Sequence, residues 1–146
     1  MNGRIFHRDN PPYPYAAEVH PNCNCETIML LCIIAGTATI DGLNGADFHI
    51  AHYGILPENY ITKSEARLKG WKRYKGNLRD VTLNGAIGGD IYYNDDRRLP
   101  DAAGRVWHEA DINYTGGIRN GHRILYSNDG LISATYDHYG TFYEIR

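Results

Sequence analysis

Five short apolar runs in the C-terminal half limit this chain more than any other feature. Residues 86–93, 106–114, 123–127, 131–136 and 141–145 are rich in Ile, Leu and Tyr, and each is bounded by Gly, Asn or Asp. That punctuation marks hairpin-connected strands in an antiparallel meander. Upstream, Thr62-Lys63-Ser64-Glu65 has the spacing of a capping box, in which Thr62 caps and Glu65 reaches back. It predicts a helix over 63–68 that stops at Gly70. Weaker helical signals lie at 41–53, with Asp41 as the candidate cap, and at 77–81. Helices first and strands later read as α+β, with N-terminal helices packed on a twisted antiparallel sheet. Twelve Tyr against three Phe suit a sheet with a wet aromatic face.

At 146 residues the chain has room for one core. Its division falls near residue 40, leaving 1–40 as an N-terminal extension and 41–146 as the main domain. Within the extension, Asn10-Pro11-Pro12-Tyr13-Pro14-Tyr15 is extended or polyproline. Residues 26–40 fit one or two buried strands or a short buried helix. The apolar stretch from Ile28 to Ile40 is too short to cross a bilayer and starts too late for a secretory signal. Cys23, Cys25 and Cys32 cannot form a framework for the whole fold, because residues 33–146 hold no Cys. They read as reduced thiols on a strand; the alternative is a zinc set of His20, Cys23 and Cys25, whose spacing fits no standard finger.

The net charge of −2 excludes a generally basic coat for nucleic acid, yet it is unevenly spread. Residues 57–146 hold 13 Lys and Arg against 12 Asp and Glu, whereas residues 1–56 hold 2 against 5. A near-neutral domain still binds a polyanion when its cations converge on one cleft. Alternation along residues 106–114 puts Trp107, Glu109, Asp111 and Asn113 on one face. Arg123 and Leu125 share a phase on the next strand, Arg119 lies in the connecting loop, and Asp137-His138-Tyr139-Gly140 forms the last hairpin tip. A Glu, a His and several cations on one sheet are what acid–base phosphoryl transfer needs, without a metal. Taken singly, each residue fits a plainer role better: a solvated Glu, an exposed His, two arginines neutralising Asp111.

The order of blocks resolves that ambiguity. Leu56-Pro57-Glu58-Asn59-Tyr60-Ile61-Thr62-Lys63-Ser64-Glu65-Ala66, Gly70-Trp71, Lys75-Gly76-Asn77-Leu78, Ile87-Gly88-Gly89-Asp90-Ile91, Gly104-Arg105, Glu109 to Thr115, Arg123 to Ser127 and Asp137-His138-Tyr139 follow one another over the last 90 or so residues. From Leu56 to Arg146 the chain resembles the barnase-like guanyl-specific ribonucleases of bacteria. The resemblance implies the microbial ribonuclease fold, single-stranded RNA as substrate and no cofactor. It makes Glu109 the general base and His138 the general acid, and Lys63, Arg119 and Arg123 the phosphate-binding cations. Tyr92, Tyr93, Asn94, Asp95 and Asp96 occupy the base-binding loop, with Asp96 where the family usually has Glu, and Tyr139 stacks beside the base. Asp95 replaces a cation, Gly130 an aromatic and Gly54 a His. A catalytically weak RNA- or protein-binding module on the same fold is the competing expectation.

Two further expectations come from resemblance. A small acidic barstar-like inhibitor would plug the cationic cleft of an otherwise monomeric protein. Tyr13-Pro14-Tyr15 and His20-Pro21-Asn22-Cys23 are similar to the end of phage Mu F-like domains, which implies a toxin domain secreted or delivered into a target cell.

Overall fold

The computed structural model describes residues 32–146. Its sheet contains β1 (Cys32–Ile33), β2 (Tyr60–Ile61), β3 (Ala86–Tyr92), β4 (Trp107–Asp111), β5 (Arg123–Ser127), β6 (Ile132–Thr135) and β7 (Tyr143–Ile145). The spatial order is β1-β7-β6-β5-β4-β3-β2. From β3 to β7 each strand pairs antiparallel with its neighbour in sequence, as the meander predicts. The two edges depart from that expectation, because β1 on β7 and β2 on β3 are parallel pairs and make the sheet mixed. β1 falls in the stretch 26–40, which is open to a strand or a short helix, whereas β2, two residues long, is too short for any hydrophobic period to announce it.

Three helices precede the meander: α1 (Ala46–Tyr53), α2 (Lys63–Leu68) and α3 (Leu78–Val81). The capping box of α2 forms as its sequence spells it, with Glu65 N donating to Thr62 Oγ1 at 3.2 Å and Thr62 N donating to Glu65 Oε1 at 2.8 Å. The helix expected over 41–53 is instead split into a 3-10 turn at Gly42–Asn44 and α1. Asp41 makes no capping bond. Gly45 separates the two pieces because a Cβ there would stand 2.3 Å from Thr39 Oγ1. Asp47, fully buried, then fastens the preceding chain to the first turn of α1: its Oδ2 accepts from Gly36 N at 2.7 Å and Ala38 N at 3.0 Å.

Ala110, Ile124, Ala134 and Tyr143 lie side by side across β4 to β7 and bury against Ala46 and Ile50 of α1. A second cluster joins Ala66 of α2, Trp71 and Leu78 of α3 to Ala86 and Ile87 of β3. Ile33 and Ala38 belong to the main core, so sheet and core extend upstream of residue 41. Cys32 is buried and disulfide-bonded, which corrects the expectation of a reduced thiol there. The zinc set His20, Cys23 and Cys25 and the Mu F-like segment lie outside the described residues. Among the described residues no His, Cys, Asp and Glu gather into a metal-binding group, and no helix is long and apolar enough to cross a membrane.

Candidate active site

With the apolar row of β4 and β5 turned toward α1, alternation leaves Glu109, Asp111, Arg123 and Leu125 on the opposite face. Arg123 stands directly across from Asp111 in the β4–β5 register. Arg119 reaches the same carboxylate from the connecting loop. That loop is fastened at its base, where Tyr114 Oη donates to Gly117 O at 2.6 Å and Arg79 Nη2 to Tyr114 O at 3.1 Å. Gly76, with φ +59°, lets the loop pass so close that a Cβ would stand 2.8 Å from the backbone of Gly117 and Ile118.

Arg119 grips Asp111 with both ends of its fork, Nε to Oδ2 and Nη2 to Oδ1, each at 2.7 Å. Arg123 Nε lies 3.2 Å from Oδ1 as an ion pair outside hydrogen-bond geometry, and its Nη1 donates to Asn120 O and His122 O at 2.6 and 2.9 Å. Asp111 is 1% exposed. Burial works against the charge on Arg119, but the bonds to Asp111 outweigh it and raise the pKa. One carboxylate beneath two guanidiniums leaves a net positive charge. The plainer role for these arginines therefore holds, and it does not remove them from the groove they line.

Lys63 arrives through α2. Its backbone N donates to Asp90 Oδ2 at 3.0 Å, and a bulge between Gly88 and Asp90 sets Asp90 across from Glu109 in the β3–β4 register. The Lys63 Nζ then lies 3.7 Å from Glu109 Oε2. On the far side, His138 and Tyr139 both have left-handed backbones, φ +59° and +76°. Such a conformation costs about 1–3 kcal/mol per non-glycine residue. Several bonds hold it: His138 N to Gly121 O at 3.0 Å, Tyr139 N to Thr135 Oγ1 at 3.0 Å, and Thr141 N to Asp137 Oδ1 at 2.8 Å. The Tyr139 hydroxyl donates to Glu109 Oε1, and its ring stacks on Tyr92 with centroids 5.3 Å apart. Burial first, and then the bond to Glu109, push the Tyr139 pKa up.

Three cavities follow the groove. One of about 560 Å³ is walled by the loop residues Tyr92, Tyr93, Asn94, Asp95 and Asp96 and by Glu109, with Lys63 and Tyr139 at its border. Lys63 and Tyr139 also line the next, about 240 Å³, where Arg67, Arg73, Arg119, Arg123 and His138 converge without a carboxylate. A third of the same size continues past His138, between Arg73 and the segment Ile118–Gly121. Glu109 and His138 thus open on the same side of the sheet. A larger groove of about 700 Å³ lies apart, along Ile55–Pro57 and Leu83, and gathers no comparable charge.

Arg67 and Arg73 were not among the expected site residues. Arg67 lies one helical turn after Lys63, a spacing that marks a shared face; Arg73 has no sequence signal. The Asn94 side chain closes its own loop, with Nδ2 donating to Leu99 O at 3.0 Å and Oδ1 accepting from Leu99 N at 3.1 Å.

A family model described as ribonuclease matches residues 46–146. The chain belongs to the barnase-like bacterial ribonucleases. It is 48% identical to a ribonuclease of Bacillus intermedius over 82% of this chain and 74% of that one. A ribonuclease of Heyndrickxia coagulans is 50% identical over 75% of this chain and all of its own length. Among solved structures, ribonuclease Sa2 with guanosine-2'-cyclophosphate is 32% identical, with a TM-score of 0.36 over 40% of this chain and 63% of that chain.

For this member of the family, Asp111→Asn should cost roughly 3–5 kcal/mol of stability, because it strands one buried and one half-buried guanidinium. Urea unfolding at neutral pH measures it; a loss under about 1 kcal/mol, typical of exposed pairs, would contradict the account. Asp137 gives a second expectation. Burial opposes its charge, but the Thr141 and Thr135 bonds prevail and hold its pKa below the usual 3.8. Its stabilisation is therefore full above pH 3.8 and is lost as pH falls through the lowered folded value. The stability gap between the native protein and Asp137→Asn should close over that window; a gap independent of pH would refute this.

Proposed function

We propose that this ribonuclease is a metal-independent endonuclease that cuts single-stranded RNA, with guanine preferred, through a 2′,3′-cyclic phosphate. The observation that carries the reading is the shared wall of Lys63 and Tyr139, which joins the cavity of Glu109 to the cation-lined cavity of His138. A ribose and its phosphate bridge the two. Glu109 takes the 2′-hydroxyl proton, O2′ attacks phosphorus, and His138 gives its proton to the departing O5′. In the second step the roles reverse: His138 activates water, and Glu109 returns a proton to O2′. Lys63, Arg119 and Arg123 stabilise charge on the phosphoryl oxygens.

Guanine enters the cavity formed by residues 92–96. Asp96 supplies two acceptors for the donors at guanine N1 and the exocyclic amine, and the Tyr92 and Tyr139 rings supply stacking faces. Asp95, exposed at the cavity wall, repels the phosphate on the 5′ side of the base and makes it contribute less to binding. The cation-lined groove also fits a small acidic inhibitor protein; a complex that weakens steeply with salt would support this. All the proposed catalytic residues fall within 41–146, which together with the upstream strand β1 makes a small folded unit suited to delivery as a toxin.

The test is product mapping on a defined oligonucleotide in EDTA. Cuts after guanine with cyclic phosphate ends, following a bell-shaped pH profile and falling at least about 100-fold in Glu109→Gln, are expected. Cleavage that the chelator abolishes, or that survives the substitution, would overturn the mechanism. RNA bound but left intact would select the binding-module reading.

A further inference from the structure

The hairpin that carries His138 is gripped from the base-binding loop by a residue outside the acid–base machinery. Arg98 Nη1 donates to Tyr139 O at 2.7 Å, and Nη2 donates to Gly140 O at 2.5 Å. Its guanidinium lies over the Phe142 ring, 5.3 Å from the centroid. Two consecutive carbonyls are thus held by one planar fork, a geometry that a lysine cannot reproduce. The other end of Arg98 is equally constrained. Its backbone follows Asp95 and Asp96 inside the ring that Asn94 and Leu99 close by their paired bonds, and its N contacts Asp96 Oδ1 at 3.4 Å.

We propose that Arg98 is a positioning residue that couples occupancy of the base cavity to the placement of His138. The inference rests on the nuclease reading of these cavities and adds a route between them. A base seated against residues 92–96 restrains the ring formed by 94–99. Arg98 passes that restraint to the carbonyls of Tyr139 and Gly140, next to His138 in the chain. The left-handed backbone at His138 and Tyr139 gives this grip something to hold: without it, the turn rests on the bonds of His138 N, Tyr139 N and Thr141 N alone, and the imidazole is placed less closely against the leaving oxygen. Because Arg98 is exposed and bonds to carbonyls rather than to a buried carboxylate, its contribution to global stability is small, and its effect is on geometry.

The experiment compares Arg98→Met, which keeps a long side chain against Phe142, with Arg98→Lys, on guanylyl-uridine and adenylyl-uridine. Arg98→Met should lower kcat on the guanine substrate about tenfold with KM nearly unchanged, as expected of a small misplacement of a catalytic group. The loss on the adenine substrate should be smaller, so that base discrimination falls, and Arg98→Lys should recover part of it. Hydrogen exchange on the free protein supplies a readout that needs no activity: the amides of Tyr139 and Thr141 should exchange faster in Arg98→Met, with those of Ile124 and Leu125 unchanged. An unchanged kcat, an equal loss on both substrates, or unchanged exchange at Tyr139 and Thr141 would overturn the coupling. If the native protein cleaves neither dinucleotide, the nuclease reading fails instead, and the exchange data still decide whether Arg98 holds the hairpin.

Discussion

One buried carboxylate organises the functional half of this molecule. Asp111 sits at the end of β4 with almost no exposure, and it is the carboxylate that pairs directly with the guanidiniums of both Arg119 and Arg123. Two cations so close would drive apart the β5 strand and the loop after β4 if Asp111 were neutral. With it ionised, they are drawn onto the sheet, and the excess positive charge faces the groove. The arrangement is a compromise: full neutralisation would leave the groove without its excess positive charge, whereas no neutralisation would strand two guanidiniums at a large cost in stability.

The remaining parts take their positions from this centre. Tyr60 Oη donates to the Asp111 backbone carbonyl at 2.6 Å, tying the parallel edge strand β2 to the end of β4. Burial and then the Asp111 charge raise the pKa of that tyrosine, keeping it a donor. Two residues beyond Tyr60, Thr62 starts α2 and so fixes where Lys63 emerges. Glu109, two residues before Asp111 on the same face, receives both Lys63 and Tyr139. The ring of Tyr139 in turn stacks on Tyr92, which ties the last hairpin to the end of β3.

Much of this was legible in the sequence, for identifiable physical reasons. The meander is punctuated by Gly, Asn and Asp, and the α2 cap is spelled out by Thr62 and Glu65, so the elements that carry Lys63, Glu109 and Arg123 could be read directly. Alternation also put Glu109 and Asp111 on one face. What stayed hidden depends on contacts between distant segments. The parallel pairing of both edges has no sequence signal, β2 is too short to have a period, and Gly45 divides the expected helix only because Thr39 and Asp47 meet there. Strand β4 ends at Asp111 rather than continuing to 114, because Asn113 turns to φ +57° and accepts from Ile40 N at 2.8 Å. Arg73 looks like an ordinary surface arginine until its loop brings it to the groove.

The most direct test of the account is a crystal structure of the native protein with a dinucleotide whose reactive 2′-hydroxyl is replaced by fluorine. The phosphate should lie between Lys63, Arg119 and Arg123, with Glu109 facing the 2′ position, His138 facing the 5′-oxygen, and Arg119 still bonded to Asp111. A phosphate bound elsewhere, or arginines that leave Asp111 to reach it, would contradict the idea that this one carboxylate holds the groove in its working charge state.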